Sequence, residues 1–106
     1  MPKYLFVASY SPEGLKGVLS EGGTGRSAAV SQLAESVGGS VESFYFAFGG
    51  DDAFIVCDLP DDEAAAGIGI TVGATGKASV RTITLLTPEQ VDAATKRSPA
   101  YRPPGG

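Results

Sequence analysis

Histidine is absent from this chain of 106 residues, and cysteine occurs once, at Cys57. Because histidine is the commonest general base and a usual ligand of zinc and haem iron, its absence excludes Ser-His-Asp and Cys-His catalysis and the usual zinc and haem sites. A single cysteine cannot form an intrachain disulfide. We interpret Cys57 as a small buried hydrophobic residue in a reducing cytoplasm. The sequence predicts no metal site and no cofactor.

Basic residues and long apolar runs are also scarce. Eight Lys and Arg residues stand against twelve Asp and Glu residues, which gives a net charge of −4. A chain without a basic cluster is poorly suited to nucleic acid or to an anionic membrane surface. No apolar run has the length of a membrane span, and the N-terminus leads directly into a strand pattern, unlike a signal peptide. We expect a cytoplasmic protein with neither nucleic-acid nor membrane partners.

The composition that remains is that of one globular domain, with 42% hydrophobic and 19% charged residues. We assign residues 1–97 to this domain because the periodic patterns end there. Residues 98–106 contain three of the seven prolines and end in two glycines. This tail is either a disordered end or a strap over a neighbouring subunit.

The hydrophobic periodicity predicts four strands and three helices. The predicted strands are Lys3–Tyr10, Ser40–Phe48, Phe54–Leu59 and Lys77–Leu86. The predicted helices run from Pro12 to Val37 with an interruption at Ser20–Gly25, from a cap at Asp61 or Asp62 to about Thr75, and from Pro88 to about Arg97. The order β-α-β-β-α-β plus a short helix indicates an α+β, ferredoxin-like fold. Its four-stranded antiparallel sheet would carry both long helices on one face.

Both faces of the predicted strands are apolar. In the first strand, Tyr4 and Phe6 alternate with Leu5 and Val7. Sheets covered on both sides have this pattern, and a monomer rarely exposes an apolar patch of several hundred Å². Since the helices can cover only one face, we expect a homodimer or higher oligomer in which two sheets pack face to face.

A glycine-aspartate turn followed by a strand carries a family resemblance. Gly50-Asp51-Asp52 and then Asp58-Leu59-Pro60-Asp61-Asp62-Glu63 resemble the GYD domain family. Further segments agree in order: Tyr4, Ser11-Pro12-Glu13-Gly14, Gly25-Arg26-Ser27, Gly38-Gly39 and Val80-Arg81-Thr82-Ile83-Thr84-Leu85. Asp51 stands where the family has its eponymous tyrosine. The resemblance implies a dimeric α+β barrel, and related barrels include cofactor-independent monooxygenases, isomerase-like enzymes and ligand-sensing domains.

Two aspartates and one arginine are the first candidates for a site. Asp52 and Asp58 could be carboxylates at the rim and wall of a cleft, one of them a general base. Alternatively, Asp52 forms the turn and Asp58 pairs with Arg81. An unpaired guanidinium in mid-strand is costly to bury. Arg81 therefore either pairs with Asp58 or Glu42, or contacts an anionic ligand.

Tyrosines and a glycine-rich segment supply the remaining candidates. Tyr10 and Tyr45 could line a cavity with hydroxyl groups or belong to the core. Gly22–Arg26 could hold a phosphate or carboxylate with free N–H groups at a helix start, or could simply break the helix. It lacks the lysine of a P-loop. Asp61–Glu63 could bind a hard cation, but a helix N-terminus favours such residues without one.

These residues lead to three functional hypotheses. The first is a small cytoplasmic, oligomeric α+β module that binds a small organic ligand between sheet and helices or serves assembly. Its candidate ligand-binding residues are Asp52, Asp58, Arg81, Tyr45 and Arg26. The second is a cofactor-independent monooxygenase or isomerase, with Asp58, Arg81 and Tyr10 as catalytic candidates. The third is a sensor of phosphate ligands.

Overall fold

The computed structural model describes residues 1–106 and contains four strands and three helices. In chain order they are β1 (Lys3–Tyr10), α1 (Pro12–Ser36), β2 (Ser40–Phe46), β3 (Ala53–Asp58), α2 (Asp62–Ala74), β4 (Ala78–Leu85) and α3 (Pro88–Thr95). The predicted element order is confirmed. No helix combines the length and the hydropathy needed to cross a membrane.

Each helix begins at a polar cap that the sequence predicts. The Ser11 hydroxyl accepts the N–H of Gly14 at 3.2 Å, and the Asp61 carboxylate accepts that of Ala64 at 2.8 Å. At α3, Thr87 and Gln90 form a reciprocal capping box with distances of 2.7 and 3.1 Å. These bonds satisfy N–H groups that have no partner inside a helix, so they fix where each helix starts.

The sheet is antiparallel throughout and has the strand order β2-β3-β1-β4. The central strand β1 pairs with β3 on one side and with β4 on the other. Both α1 and α2 contribute to the single core cluster, through Ala34 and Ile68 respectively. The chain therefore has the predicted ferredoxin-like arrangement, with its long helices packed on one face of the sheet.

The core lies between the helices and the face of the sheet that carries Tyr4 and Phe6, which are 2% and 3% exposed. On β2, Phe44 and Phe46 pack against this cluster with ring centroids 4.8 Å apart. Val41 packs against the same cluster, although strict alternation predicts the opposite face for it. An irregularity in register between Val41 and Ser43 explains the difference, since a bulge shifts the alternation by one residue.

The turn between β2 and β3 is longer than the sequence predicts. Three consecutive residues have positive φ: Phe48 at 61°, Gly49 at 119° and Gly50 at 117°. This backbone cannot continue a strand, so β2 ends at Phe46 and the prediction that it reaches Phe48 is wrong. The ring of Phe48 nevertheless stacks on Phe46 at 5.3 Å.

The glycine-rich segment in the first helix does not form a loop. Helix α1 continues from Pro12 to Ser36 with one kink at Gly22, where φ is 77° and ψ is 170°. The predicted interruption over Ser20–Gly25 is thus reduced to a single non-helical residue. Gly23 lies so near β2 that an added Cβ would be 3.2 Å from the ring of Phe46. Close approach of helix and sheet, in addition to the bend, therefore favours glycine in this segment.

The C-terminal end of the chain projects from the domain. Helix α3 has no buried residue, and residues 96–106 are exposed throughout. Leu86 and Val91 expose about half of their surface or more, at 59% and 47%. The molecule measures 55 × 33 × 22 Å, an elongated shape for a domain of this size.

Candidate functional site

An apolar cavity lies between the sheet and the two long helices, and we call it the inner chamber. Its volume is 70 Å³, and twelve of its thirteen lining residues are hydrophobic. Phe6 and Ile55 line it from the sheet, while Val30 and Ile68 line it from the helices. The chamber therefore occupies part of the space that the core would otherwise fill.

Short side chains leave this space open. Ala8 and Ala78 line the chamber from β1 and β4, and Ala34 lines it from α1. Each of these three side chains is a single methyl group. Interiors usually pack to crystal-like density, so a gap lined by three alanines is a specific feature of this core.

A second, more polar cavity adjoins the inner chamber, and we call it the vestibule. It has a volume of 250 Å³, and three of its ten lining residues are hydrophobic. The two cavities share Tyr10, Arg26, Val72 and Ala78. Together they form one cleft with an apolar inner end and a polar mouth.

Arg26 provides the charge at the junction of the two cavities. It is the one charged residue among those lining the inner chamber, and its side chain is 30% exposed. The kink at Gly22 and the helical turn that follows set its position on α1. Its Nη1 lies 3.5 Å from both carboxylate oxygens of Glu21, while its buried Nε–H has no acceptor in the protein.

Asp52 organises the turn rather than the cleft. It is 7% exposed, and its carboxylate accepts the N–H of Tyr10 at 2.8 Å and that of Gly49 at 3.2 Å. Its backbone also bonds to Ala8 and Ala47. Asp52 does not line either cavity. The structure therefore favours the turn-forming interpretation, and Asp52 acts on the cleft only by holding the end of β1 that carries Tyr10.

Asp58 pairs with Lys3, so the predicted Asp58–Arg81 ion pair is wrong. Lys3 Nζ lies 2.8 Å from Asp58 and 2.9 Å from Glu42. Hydrogen bonds to Asp58 and, secondarily, Glu42 raise the pKa of Lys3 above its ordinary value. Strand β1 lies between β3 and β4, where Lys3 is opposite Asp58 and Val7 is opposite Arg81. Asp58 and Arg81 are therefore separated by the whole strand β1 and by four positions along it.

Arg81 and Tyr45 lie on the face of the sheet away from the helices, which we call the open face. The Arg81 side chain is 64% exposed and its Nη2 lies 3.7 Å from Asp51, so the predicted alternative pair with Glu42 is also wrong. Tyr45 is 72% exposed and stands opposite Phe54. Neither residue lines the cleft.

The catalytic candidates consequently do not form one site. Tyr10 lines both cavities, whereas Asp58 and Arg81 lie outside them. Of the candidate ligand-binding residues, Arg26 alone lines the cleft. The structure thus brings together Tyr10 and Arg26, which the sequence placed in separate hypotheses.

Two further titratable groups are perturbed near the core. The Tyr4 hydroxyl donates to the Asp62 carboxylate, and this bond together with burial raises the pKa of Tyr4 to about 12. Burial, with a smaller effect of Asp58, raises the pKa of the Cys57 thiol to about 11. Asp61 and Asp62 are thus engaged by α2 and Tyr4, and no group of three acidic or thiol side chains is placed to hold a metal ion.

The sequence predicts a ligand between sheet and helices, but it does not give the volume or the lining of the inner chamber. Periodicity identifies which residues face the helices, but the volume left between them depends on how the elements pack. The signal that was present is the set of inward-facing alanines at 8, 34 and 78. Arg26 was found through a presumed anion-binding loop, although the structure places it in a helix with its side chain at the cleft.

Of the comparisons with known proteins, the one with family models gives a match. The family model described as the GYD domain matches residues 4–95 of this chain. The chain matches no curated protein and no solved structure.

Proposed function

The chain belongs to the GYD domain family, and we propose that it is a cytoplasmic, self-associating module that binds a small, largely apolar organic molecule in the cleft. Cys57, the single cysteine, is free and buried, so the protein needs no disulfide in order to fold. This supports a location in the reducing cytoplasm. The composition of the inner chamber supports the binding of an apolar molecule.

The observation that carries ligand binding is a preformed apolar cavity with a polar mouth. Ligand sites are commonly concave, apolar in their lining and equipped with a few polar groups that orient the ligand. The inner chamber has twelve hydrophobic lining residues, and Tyr10 and Arg26 stand where it meets the vestibule. An apolar ring would enter from the vestibule and place its inner edge in the chamber, while its polar substituent stayed at the mouth.

Filling the chamber with a side chain is expected to prevent this binding. In Val30→Phe, an added ring occupies the chamber, so an apolar probe such as toluene should bind at least tenfold more weakly than to the wild type. Ala28→Phe adds a ring to the same helix at an exposed position and should leave the affinity unchanged. Toluene titrations followed by ¹H–¹⁵N NMR measure both affinities and show which amides shift.

Shifts at Ala8, Ala34 and Val80 support the cleft as the site, because these residues line the inner chamber. Equal toluene affinity in Val30→Phe and the wild type would exclude the chamber. Shifts confined to the open face would do the same.

The alternative of a cofactor-independent enzyme has less geometric support. Asp58 is bonded to Lys3 and Arg81 is exposed on the open face, while Tyr10 faces the cleft. A general base must lie within hydrogen-bond reach of the proton that it removes. Because the three candidates face different surfaces, binding is the better-supported function of the cleft.

Self-association is supported by the open face. Leu5, Val7, Phe54, Val56 and Ile83 share this face through the strand register, opposite the face whose Tyr4 and Phe6 belong to the core cluster. Charged groups stand toward its margins: Lys3 with Asp58, and Arg81 with Asp51. An apolar centre with a polar rim is typical of interfaces, and a second copy of the sheet matches it by twofold symmetry.

A charge placed on the open face is expected to dissociate the dimer. Ile83, 36% exposed, would lie in the interface, so Ile83→Glu should sediment at the monomer mass of 10.7 kDa, whereas the wild type should sediment at twice that mass. Ile70→Glu is the matched control because Ile70 is 72% exposed on α2. Analytical ultracentrifugation decides the matter. A monomeric wild type would refute the proposal, and so would a dimer that survives Ile83→Glu.

A further inference from the structure

We infer that the molecule held in the cleft is a small organic carboxylate, with its anionic group bound by Arg26 and its apolar body in the inner chamber. This inference rests on the proposed function, since it names the chemical class of the ligand. Its support is the geometry of one guanidinium group and of the charges around it.

The Nε–H of Arg26 is a buried donor without an acceptor in the protein. Buried polar groups are nearly always hydrogen-bonded, because an unsatisfied donor loses its bond to water without replacement. Arg26 is also the one charged residue lining an otherwise hydrophobic chamber. The unsatisfied Nε–H therefore indicates an acceptor that arrives with the ligand.

Glu21 holds Arg26 only weakly. Both oxygens of Glu21 lie 3.5 Å from Nη1, the long limit of a hydrogen bond, and the Glu21 side chain is 42% exposed. Exposed pairs of this kind contribute little to stability. A carboxylate ligand can instead bond to Nε and one terminal nitrogen together, which is the two-point geometry that guanidinium groups offer to carboxylates.

The other charged groups of the vestibule favour a ligand that carries one negative charge near Arg26. Glu13 and Glu21 contribute two carboxylates, but Glu13 is paired with Lys16 at 3.2 Å. Lys77 adds a second cation to the vestibule. Because the inner end of the cleft is apolar, a monoanion with a hydrophobic body fits better than an inorganic phosphate, which has no apolar part.

Benzoate and its uncharged analogue benzamide test this assignment. The wild type should bind benzoate at least tenfold more tightly than benzamide, as measured by NMR titration or calorimetry. Arg26→Met keeps an apolar stem and removes the charge together with the unsatisfied donor. It should abolish the preference for benzoate over benzamide, while Arg26→Lys should restore only part of the preference.

Substitution of Glu21 is a second test, in which benzoate affinity should rise rather than fall. If Glu21 competes with the ligand for Arg26, Glu21→Gln should raise benzoate affinity severalfold. Glu13→Gln, which removes a vestibule carboxylate already paired with Lys16, should have a smaller effect. Both substitutions should affect benzamide less than benzoate, because benzamide carries no charge.

The outcomes separate this inference from the proposed function. Toluene and benzamide binding in the chamber without a preference for benzoate would overturn the carboxylate assignment and leave ligand binding standing. A preference for benzoate that survives Arg26→Met would overturn it as well. If toluene, benzamide and benzoate all fail to shift the chamber residues of the wild type, both proposals fall.

Discussion

Replacing Gly39 with alanine is expected to destabilise the protein by about 3 kcal/mol, the upper part of the usual range for overpacking. A Cβ at this position would overlap the backbone carbonyl oxygen of Asp58 and the side chain of Leu59. Leu59 is fully buried, and a backbone oxygen cannot turn away as a flexible side chain can. The N–H of Gly39 also donates to Ala34 at 2.9 Å, so the segment cannot shift without losing the bond that ends α1.

Gly67→Ala is the matched control. Both variants add one methyl group, but nothing lies within 4 Å of a Cβ built at Gly67, in the middle of α2. Alanine is the better helix former, so Gly67→Ala should stabilise the protein by about 0.5–1 kcal/mol. Urea unfolding of the two variants should therefore shift in opposite directions from the wild type. If Gly39→Ala unfolds at the same urea concentration as the wild type, the Asp58 oxygen and the Leu59 side chain do not lie as close to Gly39 as the structure shows.

The fold was predictable because local signals agree with its topology. Ser11, Asp61 and Thr87 mark the three helix starts, and each caps its helix in the structure. Period-two alternation in β1 separates Tyr4 and Phe6 from Leu5 and Val7, and the structure places the first pair in the core cluster. Such features depend on residues adjacent in sequence, which makes them readable without knowledge of the tertiary packing.

The ion pairs were not predictable because they depend on which strands are neighbours and on their register. Asp58 and Arg81 have opposite charges and both lie on strands, which suggested a pair. The order β2-β3-β1-β4 instead inserts β1 between them and puts Lys3 beside Asp58. Arg81 also lies at an edge of the sheet, where 64% of its side chain stays in water, so it needs no buried partner.

The candidate site was predictable only in part. The sequence indicates a cleft between sheet and helices and names Tyr10 and Arg26, and both residues line it. It does not show that the two residues line the same cavities, because their placement depends on the kink at Gly22 and on the packing of α1 against β2. The chamber volume is likewise a result of packing several short side chains at one place.

The two aspartates in the turn between β2 and β3 differ in ways that the sequence does not show. The sequence presents Asp51 and Asp52 as adjacent acids in a glycine-rich turn. In the structure the Asp51 side chain is 51% exposed, whereas Asp52 is 7% exposed and bonds to two backbone N–H groups. The two positions are therefore expected to respond very differently to substitution.

Asp52→Ala is expected to destabilise the protein by about 2 kcal/mol, because the N–H groups of Tyr10 and Gly49, whose bonds to Asp52 are partly buried, lose their acceptor, and an unsatisfied buried donor costs about 1–3 kcal/mol. Asp52→Asn keeps one acceptor oxygen and should cost about half as much. Asp51→Ala removes only an exposed ion pair of 3.7 Å and should change the free energy of unfolding by less than about 0.5 kcal/mol. Urea unfolding measures all three.

The same substitutions connect the turn to the cleft. Asp52 holds the end of β1 at Tyr10, and Tyr10 lines both the inner chamber and the vestibule. In the folded fraction of Asp52→Ala, the chamber should therefore bind toluene more weakly than in the wild type, while Asp51→Ala should bind it equally. Unchanged stability in Asp52→Ala would show that the carboxylate is dispensable for the turn. Reduced stability with unchanged toluene affinity would confine Asp52 to the turn and separate it from the cleft, because the position of Tyr10 would then not depend on this bond.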